Sequence, residues 1–399
     1  MAARRYIIAG RLLDGSGAAA RKNIFLEVRD TLISAMGNAA DLPRHTKTAI
    51  HDLSHCTIVP ALVDCSISLQ HSAALAGQGA PTESATDPAE RAALLTRHMD
   101  DCHAHGVLGV ADHGSISGLE AVYQEGLSAG RMVAIRSCGP LYRSREDCPM
   151  ATSPEPDFIK IAYSSHIDAE KATAPRLNPE DLGRLLRDRG DKKAVIIANG
   201  RRQVAEALAA GCHAIEQGYA MGRENLRKMA DRGVLWIPSL LRAKNGLDGA
   251  GSGGSVCCRF SQRYIAPGKP LPGAKAFWEK TLHEQLRQLD LARETGMATA
   301  LGTGAGSVGI LHGEAMVEEM KLFIKAGYRL EEAIRCASHM GASFFNMEKL
   351  GTLTVGNKAT FLVTRGTAQQ LPRKLSYLEG IYIDGAPSTT YHKNPVRGS

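Results

Sequence analysis

The 399-residue sequence has no apolar run approaching the ~18 residues of a membrane span, so none is expected. It also lacks any long run of one charge. Its 48 basic and 41 acidic residues are scattered, and the net charge of +7 offers no polybasic arm for nucleic acid. No Cys-x-x-Cys pair and no Cys/His cluster of zinc-ribbon spacing occurs among the nine cysteines, an odd number spread along the chain. The first ten residues, MAARRYIIAG, contain no apolar segment of signal length. These absences lead to the expectation of a reducing, cytoplasmic compartment with mostly free thiols, the adjacent Cys257 and Cys258 lying in a solvated loop. There is no G-x-S-x-G elbow, no P-loop, and no G-x-G-x-x-G after a strand. What is present is ordinary globular composition, 44% apolar and 22% charged, in a chain long enough for a large core.

Residues 1–60 read as short strands at 6–9, 24–28, 31–36 and 56–60, with the turn residues Asp14, Gly15, Ser16 and Gly17 between the first two. From residue 61 short apolar runs alternate with helical patterns. Asp87-Pro88-Ala89-Glu90 and Asn178-Pro179-Glu180-Asp181 open helices with a capping side chain, a proline at the first position and an early acid. Strand candidates at 62–63, 107–111, 132–135, 158–162, 194–198, 214–216, 234–238 and 299–302 make eight units, the signature of a (β/α)8 TIM barrel over 61–345. Strand patterns return at 352–355, 360–364 and 380–383. The fold class is therefore α/β, a TIM barrel with a small composite β-sandwich domain formed by residues 1–60 and 346–399. A Gly/Pro-rich segment at 245–273 follows the seventh strand and would lie over the C-terminal mouth, as a disordered insertion or a mobile lid.

Five motifs in this order, GRLLDGSG (10–17), LEVRDTLISAMG (26–37), VPALVD (59–64), AAGCHAIEQG (209–218) and LGTLTVGNKATFLV (350–363), resemble the amidohydrolase superfamily, in its imidazolonepropionase-like and prolidase-like branch. The resemblance covers nearly the whole chain. It implies hydrolysis of carbon–nitrogen bonds by one or two divalent ions that lower the pKa of a bound water. The implied ligands are a His-x-His pair on strand one, a bridging carboxylated lysine on strand four, a histidine on each of strands five and six, and an aspartate on strand eight. This sequence departs from that set. Ser66 and Ser68 stand for the His-x-His pair, Ile197 and Gln217 for the two later histidines, and Gly304 for the aspartate; Lys160 alone is kept. Hydroxyls and a carboxamide do not replace imidazole and carboxylate, and isoleucine and glycine offer no donor. Without bridged ions, Lys160 reverts to a free amine.

The resulting expectation is a degenerate, non-metal homologue with no cofactor. It binds a small polar or anionic molecule at a barrel mouth lined by Ser66, Ser68, His113, Lys160, Asn199 and Gln217. A homo-oligomer is expected, with neither nucleic acid nor membrane as partner. Lys160 is the catalytic candidate. Buried without an anionic partner it would be a Schiff-base nucleophile, whereas paired with Asp64, Asp112 or a bound anion it would be a relic. Three rival chemistries stay open: Cys65 as thiolate with His113 as base, a relocated metal site from Cys65, His113 and Cys138, and an active C–N hydrolase with an unconventional site. His71 and His166 lie in the loops after strands one and four. A subunit role in a larger complex is also compatible with the sequence.

Overall fold

The computed structural model describes residues 4–42, 48–73, 87–114, 118–144, 155–165, 167, 174–250, 272–307 and 309–393. One seven-stranded mixed sheet gathers both ends of the chain. It contains β1 (Arg4–Leu12), β2 (Arg21–Arg29), β3 (Leu32–Asn38) and β4 (Ala49–Pro60) from the start, with β12 (Phe361–Arg365), β13 (Gly380–Ile383) and β14 (Ala386–Pro387) from the end, in the order β14-β13-β12-β4-β1-β2-β3. The seam is β4 against β12, antiparallel, with Val59 opposite Leu362. Alternate residues along it serve two apolar clusters. Ile58, Phe361 and Val363 enter the cluster beneath the sheet, while Val59 and Leu362 enter the large core shared with the rest of the chain. That is the two-residue side-chain period of a strand used on both faces.

After Ala61 the chain forms parallel strands alternating with helices. A three-stranded sheet holds β5 (Leu62–Ile67), β6 (Val107–Asp112) and β7 (Ala134–Ser137). A four-stranded sheet holds β8 (Ile159–Ala162), β9 (Ala194–Ala198), β10 (Ala214–Gln217) and β11 (Leu235–Ile237). β5, β6, β9, β10 and β11 are wholly buried, as parallel strands covered on both faces must be, and β8 nearly so, whereas β7 is buried only at Ser137. Around them run α1 (Pro88–Ala104), α2 (Glu120–Ser128), α3 (Pro179–Arg187), α4 (Arg201–Ala209), α5 (Gly222–Arg232), α6 (Leu240–Ala250), α7 (Ala274–Glu294), α8 (Glu314–Lys325), α9 (Leu330–Cys336) and α10 (His339–Phe344). No helix among the described residues is long and apolar enough to cross a membrane.

Seven of the eight expected core strands form, in two sheets rather than one ring. Single parallel bridges join their edges: Tyr142 to Ile161, Trp236 to Thr299, and Ile67 to Ala305. The eighth segment, 299–305, is not a regular strand. Its amides still reach both neighbours, Ala300 N–H to Trp236 O and Gly304 N–H to Ser66 O. The expected strand at 352–355 does not form either. It lies between Gly351 and Gly356, both at positive φ, and turns. The expected loop at 245–273 is helical in its first part, since α6 runs to Ala250, and residues 251–271, with Cys257 and Cys258, lie outside the described residues. His166 lies outside them too.

Candidate functional site

Ser66 near the C-terminal end of β5, Lys160 within β8 and Glu216 near the C-terminal end of β10 come together. Lys160 Nζ lies 2.7 Å from Glu216 Oε2 and donates to Ser66 Oγ at 3.2 Å. Ser66 Oγ in turn donates to Glu216 Oε1 at 2.9 Å. Both charged side chains are nearly inaccessible, 1% and 5% exposed, so each depends on the other for compensation. His113 adjoins them, its Nδ1 3.4 Å from Lys160 Nζ. Burial first, then the Lys160 ammonium, hold the imidazole well below its usual range, so it is neutral and accepts through that nitrogen.

This overturns the premise of an unpartnered Lys160. The partner is Glu216, not Asp64 or Asp112, and those two acids are used elsewhere. Asp64 accepts from Ser66 N–H at 3.1 Å and from the Thr303 N–H and hydroxyl at 2.9 and 2.5 Å. Asp112 accepts from Leu69 N–H at 2.9 Å and Tyr123 hydroxyl at 2.5 Å. Burial pushes each carboxyl up to about 6. They tie the strand ends together.

Asn199 and Gln217 form a second network. Asn199 Nδ2 donates to Gln217 Oε1 at 2.7 Å, and Asn199 Oδ1 accepts from Tyr219 N–H at 3.0 Å. Gln217 has φ +70°, unusual for a residue with a side chain. Its carbonyl accepts from Trp236 Nε1 at 3.0 Å and Gln285 Nε2 at 2.6 Å, which holds the strained turn. Ser68 is drawn away from both groups. Its hydroxyl bonds His71 Nδ1 and its carbonyl accepts from His312 Nε2 at 2.8 Å. His312 stacks on His98, ring centroids 3.7 Å apart, and His98 Nδ1 donates to Leu69 O at 2.7 Å.

The cysteine-based sites do not assemble. Cys65 alternates with Ser66 and points to the helix side, where its Sγ packs against Gly341 of α10. Burial raises its thiol well above the usual value and pushes that of Cys138 up to about 12, so neither is a thiolate. The six described cysteines are buried free thiols. Among the described residues no three His, Cys, Asp or Glu side chains stand where they could share an ion. The donor chemistry agrees. At the family's metal positions stand two hydroxyls, an amide, an isoleucine and Gly304, whose φ of +72° favours glycine over any side chain. The residues present do not fit the divalent ions of that family.

Glu216 is the residue that sequence reasoning passed over, treating it only as part of a motif. The signal was an acid inside a four-residue strand that is otherwise buried, since a carboxylate buried there must find a cation or hydrogen-bond donors within the fold.

The sequence model of the amidohydrolase family matches residues 181–391, just over half of the chain. The chain belongs to the amidohydrolase family. Comparison with curated proteins finds no match. Solved amidohydrolase-like structures share its fold at low identity. A Xaa-Pro dipeptidase with methionine bound in its active site is 18% identical, with a TM-score of 0.78 over 96% of this chain and 99% of that one. The A. niger ochratoxinase is also 18% identical, with a TM-score of 0.78 over 100% of this chain and 97% of that one. A prolidase complexed with N-methylphosphonate-L-proline is 18% identical, with a TM-score of 0.73 over 96% and 99%. Against that family, this amidohydrolase has an ion pair and hydroxyls where the family's metal ligands are expected.

Proposed function

We propose that this amidohydrolase-family chain is a (β/α)8 barrel, residues 61–345, capped by a composite β-domain from 1–60 and 346–399, which binds a small polar molecule at the strand ends without a hydrolytic metal centre. One observation carries the reading: the Lys160 amine is engaged by Glu216 and Ser66. A lysine that bridges two ions must present a free amine for carboxylation, and an amine held in a buried ion pair is not presented. The same engagement argues against Schiff-base attack, which needs a free amine. Asn199, Gln217 and His113 remain as neutral polar groups suited to hydrogen bonding a ligand.

The test is metal content per chain, by mass spectrometry of full-length protein purified without chelators and again after incubation with zinc or manganese. Substoichiometric metal in both samples is the expected result. One ion per chain that survives gel filtration overturns the reading and restores hydrolysis of C–N bonds at an unconventional site.

A further inference from the structure

One cation at the strand ends has no counter-ion among the described residues. Arg242 lies in the first turn of α6, which follows β11, the strand paired with β10 so that Ile237 stands opposite Glu216. Its backbone N–H donates to Ser239 O at 3.3 Å and its side chain is half-buried. Among the described residues no hydrogen bond, ion pair or ring contact engages its guanidinium. Glu216 and Tyr219 are near enough to act on it electrostatically, yet both are committed: Glu216 to Lys160 and Ser66, and the Tyr219 hydroxyl to Ser239 O at 2.6 Å. Glu319 of α8, which holds the start of α6, is fully buried and pushed up to about 8 by burial, so it is largely neutral at pH 7. A guanidinium cannot shed its proton, and leaving it half-desolvated and unpaired is unfavourable.

We propose that Arg242 anchors an anion subsite beside the Lys160–Glu216 pair, and that the molecule bound there carries a carboxylate gripped by the guanidinium fork. This rests on the reading of the strand ends as a small-molecule site, and it names the ligand class. Two observations favour carboxylate over phosphate. A single uncommitted guanidinium matches a single negative charge in the planar, two-point geometry of a carboxylate. The other usual phosphate donor, the N-terminus of the helix, is already used, since the Leu240 and Leu241 N–H groups both donate to Glu319.

The experiment uses the full chain, with N-acetylglycine as the carboxylate probe, N-acetylglycinamide as its neutral isostere, and inorganic phosphate. Binding is read by thermal shift and calorimetry on wild type, R242Q and R242K. N-acetylglycine is expected to raise the wild-type Tm and the amide to leave it unmoved. R242Q weakens N-acetylglycine binding by about tenfold or more, and R242K, which keeps the charge but loses the fork, falls between. Without ligand, R242Q is at least as stable as wild type, because the charge it removes is half-desolvated and has no partner among the described residues. Equal binding of N-acetylglycine to wild type and R242Q, or equal binding of acid and amide, overturns the inference. So does a ligand-free R242Q that unfolds well below wild type, or the absence of any anion-induced shift. Phosphate binding more tightly than N-acetylglycine, and lost in R242Q, overturns the carboxylate class. The metal content of the same sample judges the underlying reading separately, so the two can fail independently.

Discussion

Lys160 and Glu216 each take a full charge out of water, and neither has a substitute partner among the described residues. Lys160→Met leaves a buried carboxylate uncompensated and is expected to lower stability by about 3–5 kcal/mol in urea unfolding. The double variant K160M/E216L removes both charges and should lose less than either single change. Additive losses would show that the two groups are not coupled. The stacked His98 and His312 predict a pH response. Burial pulls His98 down to about 4 and His312 well below its usual value. The unfolded chain therefore binds protons near pH 6.5 that the fold refuses, and stability is lost as pH falls from about 6.5 towards 4. Asp64 and Asp112, held near 6, act in the opposite sense, because their protonated forms are the ones the fold favours. The comparison is consequently between wild type and H98N/H312Q, which keep the donors to Leu69 O and Ser68 O. The double variant should show a shallower fall in Tm between pH 6.5 and 4.5, and identical slopes would refute the assignment. The departures from the family's metal-ligand motif could be read from the sequence, since each is a residue of another type at a known place in that motif. Glu216 as partner of Lys160 could not, because the two residues are distant in sequence and only strand register brings them together. Arg242 gave no signal at all: an arginine after a strand reads as surface until its lack of a partner among the described residues is seen.

At the level of elements, capping chemistry was the most legible feature. Asp87 accepts from Ala89 N–H at 2.9 Å and Asn178 from Asp181 N–H at 2.7 Å, so the expected starts of α1 and α3 follow from local side-chain bonds. Buried runs rich in Val, Ile, Leu and Ala located β5 to β11 for a similar reason. The start of α6 carries no such local signal. Its first N–H groups are held from a distance by Glu319 of α8, at 2.8 and 2.7 Å, and a cap supplied by another helix leaves no trace in the adjacent sequence. That arrangement has a pH signature. The neutral form of Glu319 is favoured in the fold, so its contribution is complete below about pH 4.5 and is lost as pH rises through about 8. The variant E319Q, neutral throughout, should lack this alkaline decline in Tm, and a parallel decline would place its cause elsewhere. The eighth core strand was misjudged because Gly302, Gly304 and Gly306 leave the segment short of the side chains that strands pack.

Across the molecule, the end sheet and the parallel strands are fastened at a few close contacts. Gly106, in the turn between α1 and β6, has φ +74°, and a Cβ there would lie 2.5 Å from Leu362 Cδ1 on β12. Leu362 is fully buried and has no room to yield. Gly106→Ala should therefore cost about 2 kcal/mol or more, combining backbone strain with overpacking. Gly190→Ala, at φ +67° with nothing within 4 Å, isolates the backbone part and should cost less. Equal losses would mean that the junction carries no packing contact worth measuring. The seam of β4 with β12 also bears on how the chain is made. Thr57 Oγ1 donates to the carbonyl of Gly366, 309 residues further on, so at translation rates of about 5–20 residues per second β4 leaves the ribosome roughly 15–60 s before the strand that covers it. Throughout that interval the edge of β4 that β12 will cover is open to mispairing, because β1, β2 and β3 all lie on its other side and cannot shield it.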